Sequence, residues 1–240
     1  MKNKGKTKKI MPQHLVIIPD GNRRWARKRH KKPWKGHEAG AEAIEILVRQ
    51  GLKLGVKNMS FWGSSLDNLS KRPWQETRAL LKIYEKYFKR LLESKDIEKY
   101  KVRINIIGRW EEQFPRRLKK ILKDGIKKTR SYKERTLNFF LAYNGDDEML
   151  QTIKKIVEKY NSAKKITKKV IKEHLMTKDL PEVDYLIRTG GEPHLSAGFM
   201  MWDTANAQLY FSDKLFPDFK GSELKLALEE FSQRERRKGK

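Results

Sequence analysis

An acidic residue followed by a turn and a run of arginines stands directly behind an apolar segment near the start of the chain. Residues 15–18 show no polar alternation, which is typical of a strand buried on both faces of a parallel sheet. Asp20 follows, then Gly21 and Asn22, and then a basic segment that begins with Arg23. Arginines, backbone N–H groups and a helix start favour a phosphate ligand, and one carboxylate suits Mg²⁺ shared with substrate phosphates.

Polar residues also follow two later apolar segments. Ser64 and Ser65 come after residues 58–62, and Arg188 with Gly190 and Gly191 comes after residues 183–187. In an open α/β sheet, ligands bind beyond the carboxyl ends of the strands. We therefore expect these groups to converge on one crevice.

Each of these residues also has a simpler explanation. A lone Asp after a strand is often a turn or N-cap residue, and a Gly-Gly pair is often only a turn. The arginines are equally compatible with a solvated face, and His37 with a structural histidine. Only their shared position at one sheet edge favours a site.

The elements that must position these groups alternate along the chain. Strands are predicted at residues 15–18, 58–62, 102–107, 136–142, 183–187 and 208–211, and helices at residues 37–54, from 73 onward, 111–129, 146–160 and 222–236. This alternation predicts an α/β fold in a single domain, with a mostly parallel central sheet of about six strands flanked by helices. The domain is expected to span residues 12–240, behind a flexible basic tail at residues 1–11.

Composition limits the partners. The 240 residues carry a formal net charge of +26, from 56 Lys and Arg against 30 Asp and Glu, which favours anionic partners but also fits lysines spread over solvated helices. The absence of cysteine excludes disulfides and thiolate metal sites. Because neither a signal peptide nor a transmembrane segment is evident, we predict a cytoplasmic protein, with at most a loose attraction to membranes.

Several other function classes fit the sequence poorly. It has no G-x-x-x-x-G-K-[ST] loop and no G-x-S-x-G nucleophile elbow, and its five histidines lack zinc-type spacing. A phosphatase with its acid after the first strand usually carries a second acid where Asn22 stands. The acidic residues 146–148 suit a helix start, where they complement the dipole. No nucleic-acid-binding signature is present, so we predict no nucleic-acid partner.

Four motifs in order now identify a resemblance: PDGNRRWA at residues 19–26, GHEAG at 36–40, IRTGGE at 187–192 and LYFSDKLFPDF at 209–219. From about His14 onward the chain resembles the cis-prenyltransferases, whose best-known members are undecaprenyl diphosphate synthases. The resemblance implies condensation of isopentenyl diphosphate with an allylic diphosphate, such as farnesyl diphosphate, into a Z-polyprenyl diphosphate with Mg²⁺. It also implies a parallel sheet, a homodimer, contact with the membrane surface through the lipid product, and a hydrophobic tunnel. One tunnel wall would be the helix from residue 73, with Leu80, Tyr84 and Phe88.

The resemblance assigns roles to residues of the first motif. Asp20 is implied to hold Mg²⁺ against the diphosphates. The amides of Gly21, Asn22 and Arg23, together with the side chain of Arg24, are implied to cradle the allylic diphosphate.

Further residues are assigned by the same resemblance. Asn68 is implied to be catalytic and Arg188 and Ser196 to bind isopentenyl diphosphate, while the other implied substrate-binding residues are Trp25, His37, Ser64, Ser65, Arg72, His194, Arg237 and Gly239. The last two belong to a C-terminal R-x-G motif that reaches a diphosphate across the dimer.

The chain departs from the family pattern in polar stretches. His194 takes the place of the second isopentenyl-site arginine, and Gln208 takes that of a glutamate, so that Gln208 is the second implied metal ligand. Leu69 replaces a tryptophan and Asp146 an arginine. These changes leave a catalytically impaired, diphosphate-binding partner subunit as an alternative, but the retained Asp-Gly-Asn segment favours an active enzyme.

Overall fold

The computed structural model describes residues 10–234, and its centre is a six-stranded, entirely parallel sheet in the order β3-β4-β2-β1-β5-β6. The strands are β1 (His14–Ile18), β2 (Asn58–Trp62), β3 (Val102–Ile107), β4 (Arg135–Phe140), β5 (Tyr185–Thr189) and β6 (Gln208–Ser212). Every residue of β1 and β5 is buried, as continuous apolar runs in a parallel sheet require. The predicted six-stranded α/β fold is confirmed.

Helices connect the strands and cover the sheet. They are α1 (Asn22–Arg27), α2 (Pro33–Leu54), α3 (Leu66–Lys71), α4 (Trp74–Glu93), α5 (Lys95–Lys99), α6 (Trp110–Gln113), α7 (Arg116–Thr129), α8 (Gly145–Lys159), α9 (Lys168–His174) and α10 (Gly221–Gln233). Three of these, α3, α5 and α9, were not predicted as helices, and α1 was predicted only as a helix start within the basic segment. They are short, and seven residues or fewer give too little periodicity to be recognised.

Alternating side chains of each strand feed two hydrophobic cores. In β1, Leu15 and Ile17 join the larger core with α2, α4, α7 and α10, whereas Val16 and Ile18 join the smaller one on the opposite face. Met11, the last residue of the predicted tail, packs against the larger core. Residues 1–9 lie outside the described residues, so the flexible tail stays a prediction.

Several predicted boundaries differ from the observed ones by a few residues, and two of these differences have a clear physical reason. The helix expected at residues 111–129 is interrupted because Pro115 has no N–H and forces Phe114 into an extended conformation with ψ 152°. The strand expected to end at Ile187 continues through Arg188 and Thr189. A charged residue ends an apolar pattern, yet Arg188 is tolerated inside a strand because its guanidinium finds partners, as described below.

Strand register brings the sequence motifs together. Ile18 of β1 pairs with Arg188 of β5, so Asp20 emerges next to the end of β5. On the other side β1 pairs with β2, whose last residue Trp62 leads into Ser64 and Ser65. Across residues 10–234, the helices are all too short or too polar to cross a bilayer.

Candidate active site

A cavity of about 580 Å³ lies beyond the carboxyl ends of β1, β2 and β5. Most of the predicted site residues line it: Asp20, Gly21, Asn22, Arg23, Arg24, His37, Ser64, Ser65, Asn68, Arg72, Arg188 and Ser196. Five arginines face this crevice against two carboxylates, since Arg27 and Asp67 also line it. The excess of positive charge suits a polyanionic ligand.

Asp20 is held between two arginines at the mouth of the crevice. Arg188 Nη2 donates to Asp20 Oδ2 at 2.8 Å, and Arg24 Nη2 donates to Oδ1 at 3.2 Å. The backbone is fixed as well, since Asp20 N donates to Thr189 Oγ1 at 3.0 Å. The side chain of Asp20 nevertheless keeps 32% of its surface exposed, so both of its ion pairs border solvent.

Arg188 itself is nearly sealed, with 4% of its surface exposed. Its Nη1 donates to the carbonyl of His194 at 2.6 Å and to Ser196 Oγ at 2.8 Å. Its buried Nε has no hydrogen-bond partner within residues 10–234. Arg188 also lines the crevice, where a guanidinium group can donate hydrogen bonds to a further anionic oxygen.

The close crossing of α1 over α2 explains two glycines of the GHEAG motif. A Cβ at Gly36 would stand 1.9 Å from the carbonyl oxygen of Asn22, and a Cβ at Gly40 would stand 2.4 Å from Asn22 Oδ1. Only glycine permits this approach. The motif therefore places the start of α1, whose first amides lack helical partners, at the crevice.

A buried glutamate that the sequence analysis missed organises the floor of the crevice. Glu76, in the first turn of α4, is 3% exposed, and its Oε1 accepts a hydrogen bond from His37 Nε2 at 3.1 Å. Arg23 Nε and Arg72 Nε lie 3.6 Å and 3.7 Å from the same oxygen. Glu76 thereby holds a histidine and two arginines of the predicted site. An acid in a first helical turn is so common that its type gave no signal.

Burial and hydrogen bonding shift the pKa values of the two titratable groups in this floor, Glu76 and His37. The hydrogen bond from His37 lowers the pKa of Glu76 against the opposing effect of burial. Burial lowers the pKa of His37, with Glu76 opposing the shift, so the imidazole is neutral near pH 7. The charge of the floor is thus carried by its arginines and by Glu76.

In the loop after β2, the predicted residues Ser64 and Ser65 make hydrogen bonds that stabilise the loop itself. Ser64 Oγ accepts from the amide of Ala142 at 3.1 Å, and Ser65 Oγ caps α3 by accepting from Asn68 N at 2.9 Å. The side chain of Asn68 is exposed to the crevice. Among the three, Asn68 is the one whose side chain is free to meet a ligand.

Two predicted residues lie beside the crevice and do not line it. Trp25 Nε1 donates to Asp218 Oδ1 at 2.8 Å, and the Arg29 guanidinium stacks 4.2 Å above the Trp25 ring. His194 contributes its backbone carbonyl to Arg188, and its exposed ring lies 3.2 Å from Ser196 Oγ. Both residues therefore contact neighbouring residues of the protein and do not face the crevice themselves.

Gln208 stands apart from Asp20. It begins β6 opposite Tyr185, three residues before Arg188 in β5, which puts it about 10 Å back from the carboxyl end of the sheet. In one copy of the chain, Gln208 therefore does not share the crevice with Asp20. Arg237 and Gly239 lie outside the described residues.

A smaller cavity adjoins the crevice at Gly63, which lines both. It has a volume of about 60 Å³ and is almost entirely apolar, with Tyr84 and Phe88 of α4 among its walls. Leu80 is buried but does not line it. A continuous hydrophobic tunnel stays a prediction.

Comparison with known proteins identifies the family of the chain. The model of the family described as "Putative undecaprenyl diphosphate synthase" matches residues 18–239. A tritrans,polycis-undecaprenyl-diphosphate synthase (geranylgeranyl-diphosphate specific) from Pyrococcus furiosus is 35% identical over 235 residues, which cover 96% of this chain and 88% of the relative. An isoprenyl transferase from Thermotoga maritima is 36% identical over 231 residues, which cover 95% and 97%.

The fold is also matched by a solved structure. The crystal structure of lavandulyl diphosphate synthase from Lavandula x intermedia, in complex with dimethylallyl diphosphate, superposes with a TM-score of 0.86 at 27% identity. The match covers 95% of this chain and 98% of that one. The chain therefore belongs to the undecaprenyl diphosphate synthase family of prenyltransferases, the cis-prenyltransferases that its sequence motifs resemble.

Proposed function

We propose that this prenyltransferase condenses isopentenyl diphosphate with an allylic diphosphate to make a Z-polyprenyl diphosphate, in a reaction that requires Mg²⁺. One observation supports this best: the arginine-rich crevice around Asp20 meets an apolar cavity at Gly63. A diphosphate head and a hydrocarbon tail call for these two environments, joined end to end.

The charge in the crevice fits the chemistry of this transfer. The allylic carbon–oxygen bond breaks, a carbon–carbon bond to the isopentenyl unit forms, and one proton is lost. As the diphosphate leaves, negative charge grows on its oxygens. Arg24, the first amides of α1 and the floor arginines Arg23 and Arg72, which border the crevice, would stabilise that charge.

Substrate-binding roles can be divided between the two sides of Asp20. On the α1 side, Gly21, Asn22, Arg23 and Arg24 would hold the allylic diphosphate. On the β5 side, Arg188 and Ser196 would hold isopentenyl diphosphate, because the Arg188 guanidinium already donates to Ser196 Oγ. The two diphosphates would then flank one carboxylate.

Asp20 would change partners when substrate binds. Its two carboxylate oxygens accept hydrogen bonds from Arg188 and Arg24. Diphosphate oxygens compete for the same guanidinium groups, and each arginine that turns to a diphosphate frees a carboxylate oxygen. The freed carboxylate is then available to a cation.

The residues present fit a Mg²⁺ ion bound jointly with substrate. The described part of the chain has no group of three or more His, Cys, Asp or Glu side chains able to hold a metal by themselves. Mg²⁺ needs no such cage, since it commonly takes one or two carboxylates plus substrate phosphates. When bound, the ion would neutralise the charge of the diphosphates, and Asp20 would be its ligand from this chain.

We also propose that the chain works as a homodimer. The edge strand β6 leaves Leu209 and Phe211 partly exposed, and α8 exposes Leu150, Ile153 and Val157 on one face. An open strand edge and a contiguous apolar helix face are features that a second copy would cover. Sedimentation should give twice the monomer mass, and charged substitutions at Phe211 and Ile153 should reduce it.

The proposed function is tested by product formation. Purified protein, Mg²⁺ and labelled isopentenyl diphosphate should yield extractable long-chain product with dimethylallyl, farnesyl or geranylgeranyl diphosphate as primer. Asp20→Ala should abolish it, whereas Asp124→Ala, which removes an exposed carboxylate on α7, should not. A folded wild-type protein that makes no product with any of the three primers would instead support the impaired partner subunit.

A further inference from the structure

Two cavities between α2 and α4 share one wall. The apolar cavity of about 60 Å³ and a second, more polar depression of about 250 Å³ at the carboxyl end of α4 are both lined by Glu45, Val48 and Leu91. In this wall Arg90 Nη2 donates to Glu45 Oε2 at 2.8 Å. The wall therefore carries an ion pair among apolar side chains.

The apolar cavity is small for the product of repeated condensation. About 60 Å³ accommodates roughly four or five non-hydrogen atoms, about one five-carbon unit. Toward the sheet it is closed by the buried residues Phe139 and Leu141, and at Gly63 it meets the crevice. On the side of the polar depression, a longer hydrocarbon chain would meet the shared wall formed by Glu45, Val48 and Leu91.

The Glu45–Arg90 pair opposes that extension. The Glu45 side chain is 26% exposed and burial raises the pKa of its carboxyl group, whereas the Arg90 side chain is 50% exposed and reaches water. A hydrocarbon that pushes past must either separate the pair or strip both charges of their remaining water. Either route costs free energy that an apolar wall would not demand.

We propose that the Glu45–Arg90 ion pair limits product length by closing the far end of the apolar cavity to the growing chain. This inference rests on the proposed function, because it concerns the chain that the condensation extends. It assigns a specificity role to residues that touch neither Asp20 nor the diphosphate crevice.

The same two helices provide a matched control. Lys86 of α4 donates to Glu38 Oε1 of α2 at 3.1 Å, about one turn of α4 before Arg90. Neither Glu38 nor Lys86 lines the apolar cavity or the polar depression. Removing the Glu38–Lys86 pair changes the charge between α2 and α4 but leaves the wall between the two cavities intact.

The test compares product lengths from the wild type and single variants, with one primer and labelled isopentenyl diphosphate, by chromatography and mass spectrometry. Glu45→Ala and Arg90→Ala should shift the product distribution by at least one isoprene unit toward longer chains. Glu45→Gln, which keeps the volume and removes the charge, should shift it in the same direction. Glu38→Ala and Lys86→Ala should keep the wild-type distribution, and melting temperatures confirm that all variants fold.

A second readout needs no turnover. Glu45→Ala should bind a long-chain polyprenyl diphosphate several-fold more tightly than the wild type does, with unchanged affinity for farnesyl diphosphate. Unchanged product lengths and binding ratios in Glu45→Ala and Arg90→Ala would overturn the inference, as would an equal shift in Glu38→Ala or a wild-type distribution in Glu45→Gln. Failure of every protein to make product would contradict the proposed function, while the binding ratio would still decide the role of the pair.

Discussion

Two clusters of acids and bases in this molecule differ in what surrounds them. Asp20 binds Arg24 and Arg188 at the edge of the crevice, with 32% of its side chain exposed. Asp203 binds Lys172 Nζ and Thr177 Oγ1, both at 2.5 Å, with 1% of its side chain exposed.

The second cluster, which we call the closed cluster, extends to two further residues. Tyr143 donates to Glu148 Oε2 at 2.6 Å, and Glu148 Oε1 accepts from Thr177 N at 3.2 Å. Tyr143 and Glu148 are each 1% exposed. No ligand can reach these partners without local unfolding, so the closed cluster serves stability, whereas the open pairs of Asp20 can be exchanged for those of a substrate.

The largest effect should come from breaking the closed cluster. Asp203→Ala leaves Lys172 without its carboxylate partner in a partly buried position, and we expect a loss of about 3–5 kcal/mol in the free energy of unfolding. Urea unfolding measures it. A loss below about 1 kcal/mol would show that the cluster relaxes into water and is not closed.

Asp20→Ala should reduce activity far more than stability. Because its carboxylate is proposed to act at the diphosphates, kcat should fall at least about 100-fold, equal to roughly 2.7 kcal/mol. The free energy of unfolding should fall by less than in Asp203→Ala, since Arg24 is 39% exposed and the buried Arg188 keeps the His194 carbonyl and Ser196 Oγ as partners. Stability lost in proportion to activity would instead make Asp20 a structural residue like Asp203.

Glu76→Gln tests a third case, because Glu76 is buried like Asp203 but contacts side chains that line the crevice. The amide keeps the volume but holds Arg23 and Arg72 less firmly, so the KM for a diphosphate substrate should rise about tenfold. Steady-state kinetics at fixed Mg²⁺ measure this. A change in kcat alone, with KM unchanged, would count against a positioning role in substrate binding.

The smallest effect concerns pH, and it should appear in both regions. His14, completely buried and hydrogen bonded to Ser60, and His37 on the crevice floor both have a pKa lowered mainly by burial. The unfolded state therefore binds more protons once the pH falls below about 6.5, and stability should decrease from there toward pH 5.5 by at most about 1 kcal/mol per histidine. The lowered pKa of Glu76 acts only below its ordinary range near 4.5 and so does not enter this window.

Single variants separate the two histidines. His14→Gln and His37→Gln should each remove part of the decrease in the free energy of unfolding between pH 7.5 and pH 5.5, as measured by urea unfolding. In each variant, the contribution of the histidine that is still present should remain. A wild-type protein whose stability is flat over this range would show that neither imidazole is kept neutral by folding.

The sequence predicted the central strands because residues 15–18 and 185–187 are continuous apolar runs, which are typical of buried strands in a parallel sheet. It also predicted that Asp20, Ser64 and Arg188 meet, because the carboxyl ends of parallel strands share one edge. It could not show that Arg188 lies within its strand, since burial of an arginine depends on partners that are distant in sequence, such as Asp20.

Other features of the site depend on contacts that no local pattern encodes. Glu76 gained its role from the packing of α4 against α2, which brings it under His37. Gln208 was assigned by motif alone, and the register of β6 with β5 moves it away from Asp20. Motif spacing therefore located the crevice, whereas register and helix packing decided which side chains face it.

The central claim is that Asp20 exchanges its arginines for a cation when a diphosphate binds. Calorimetric titration of an allylic diphosphate, with and without Mg²⁺, tests it most directly in the wild type and in Asp20→Asn. The wild type should bind at least about tenfold more tightly with Mg²⁺, whereas Asp20→Asn should lose most of this gain and bind as well as the wild type without the metal. An equal gain from Mg²⁺ in both proteins would contradict the account.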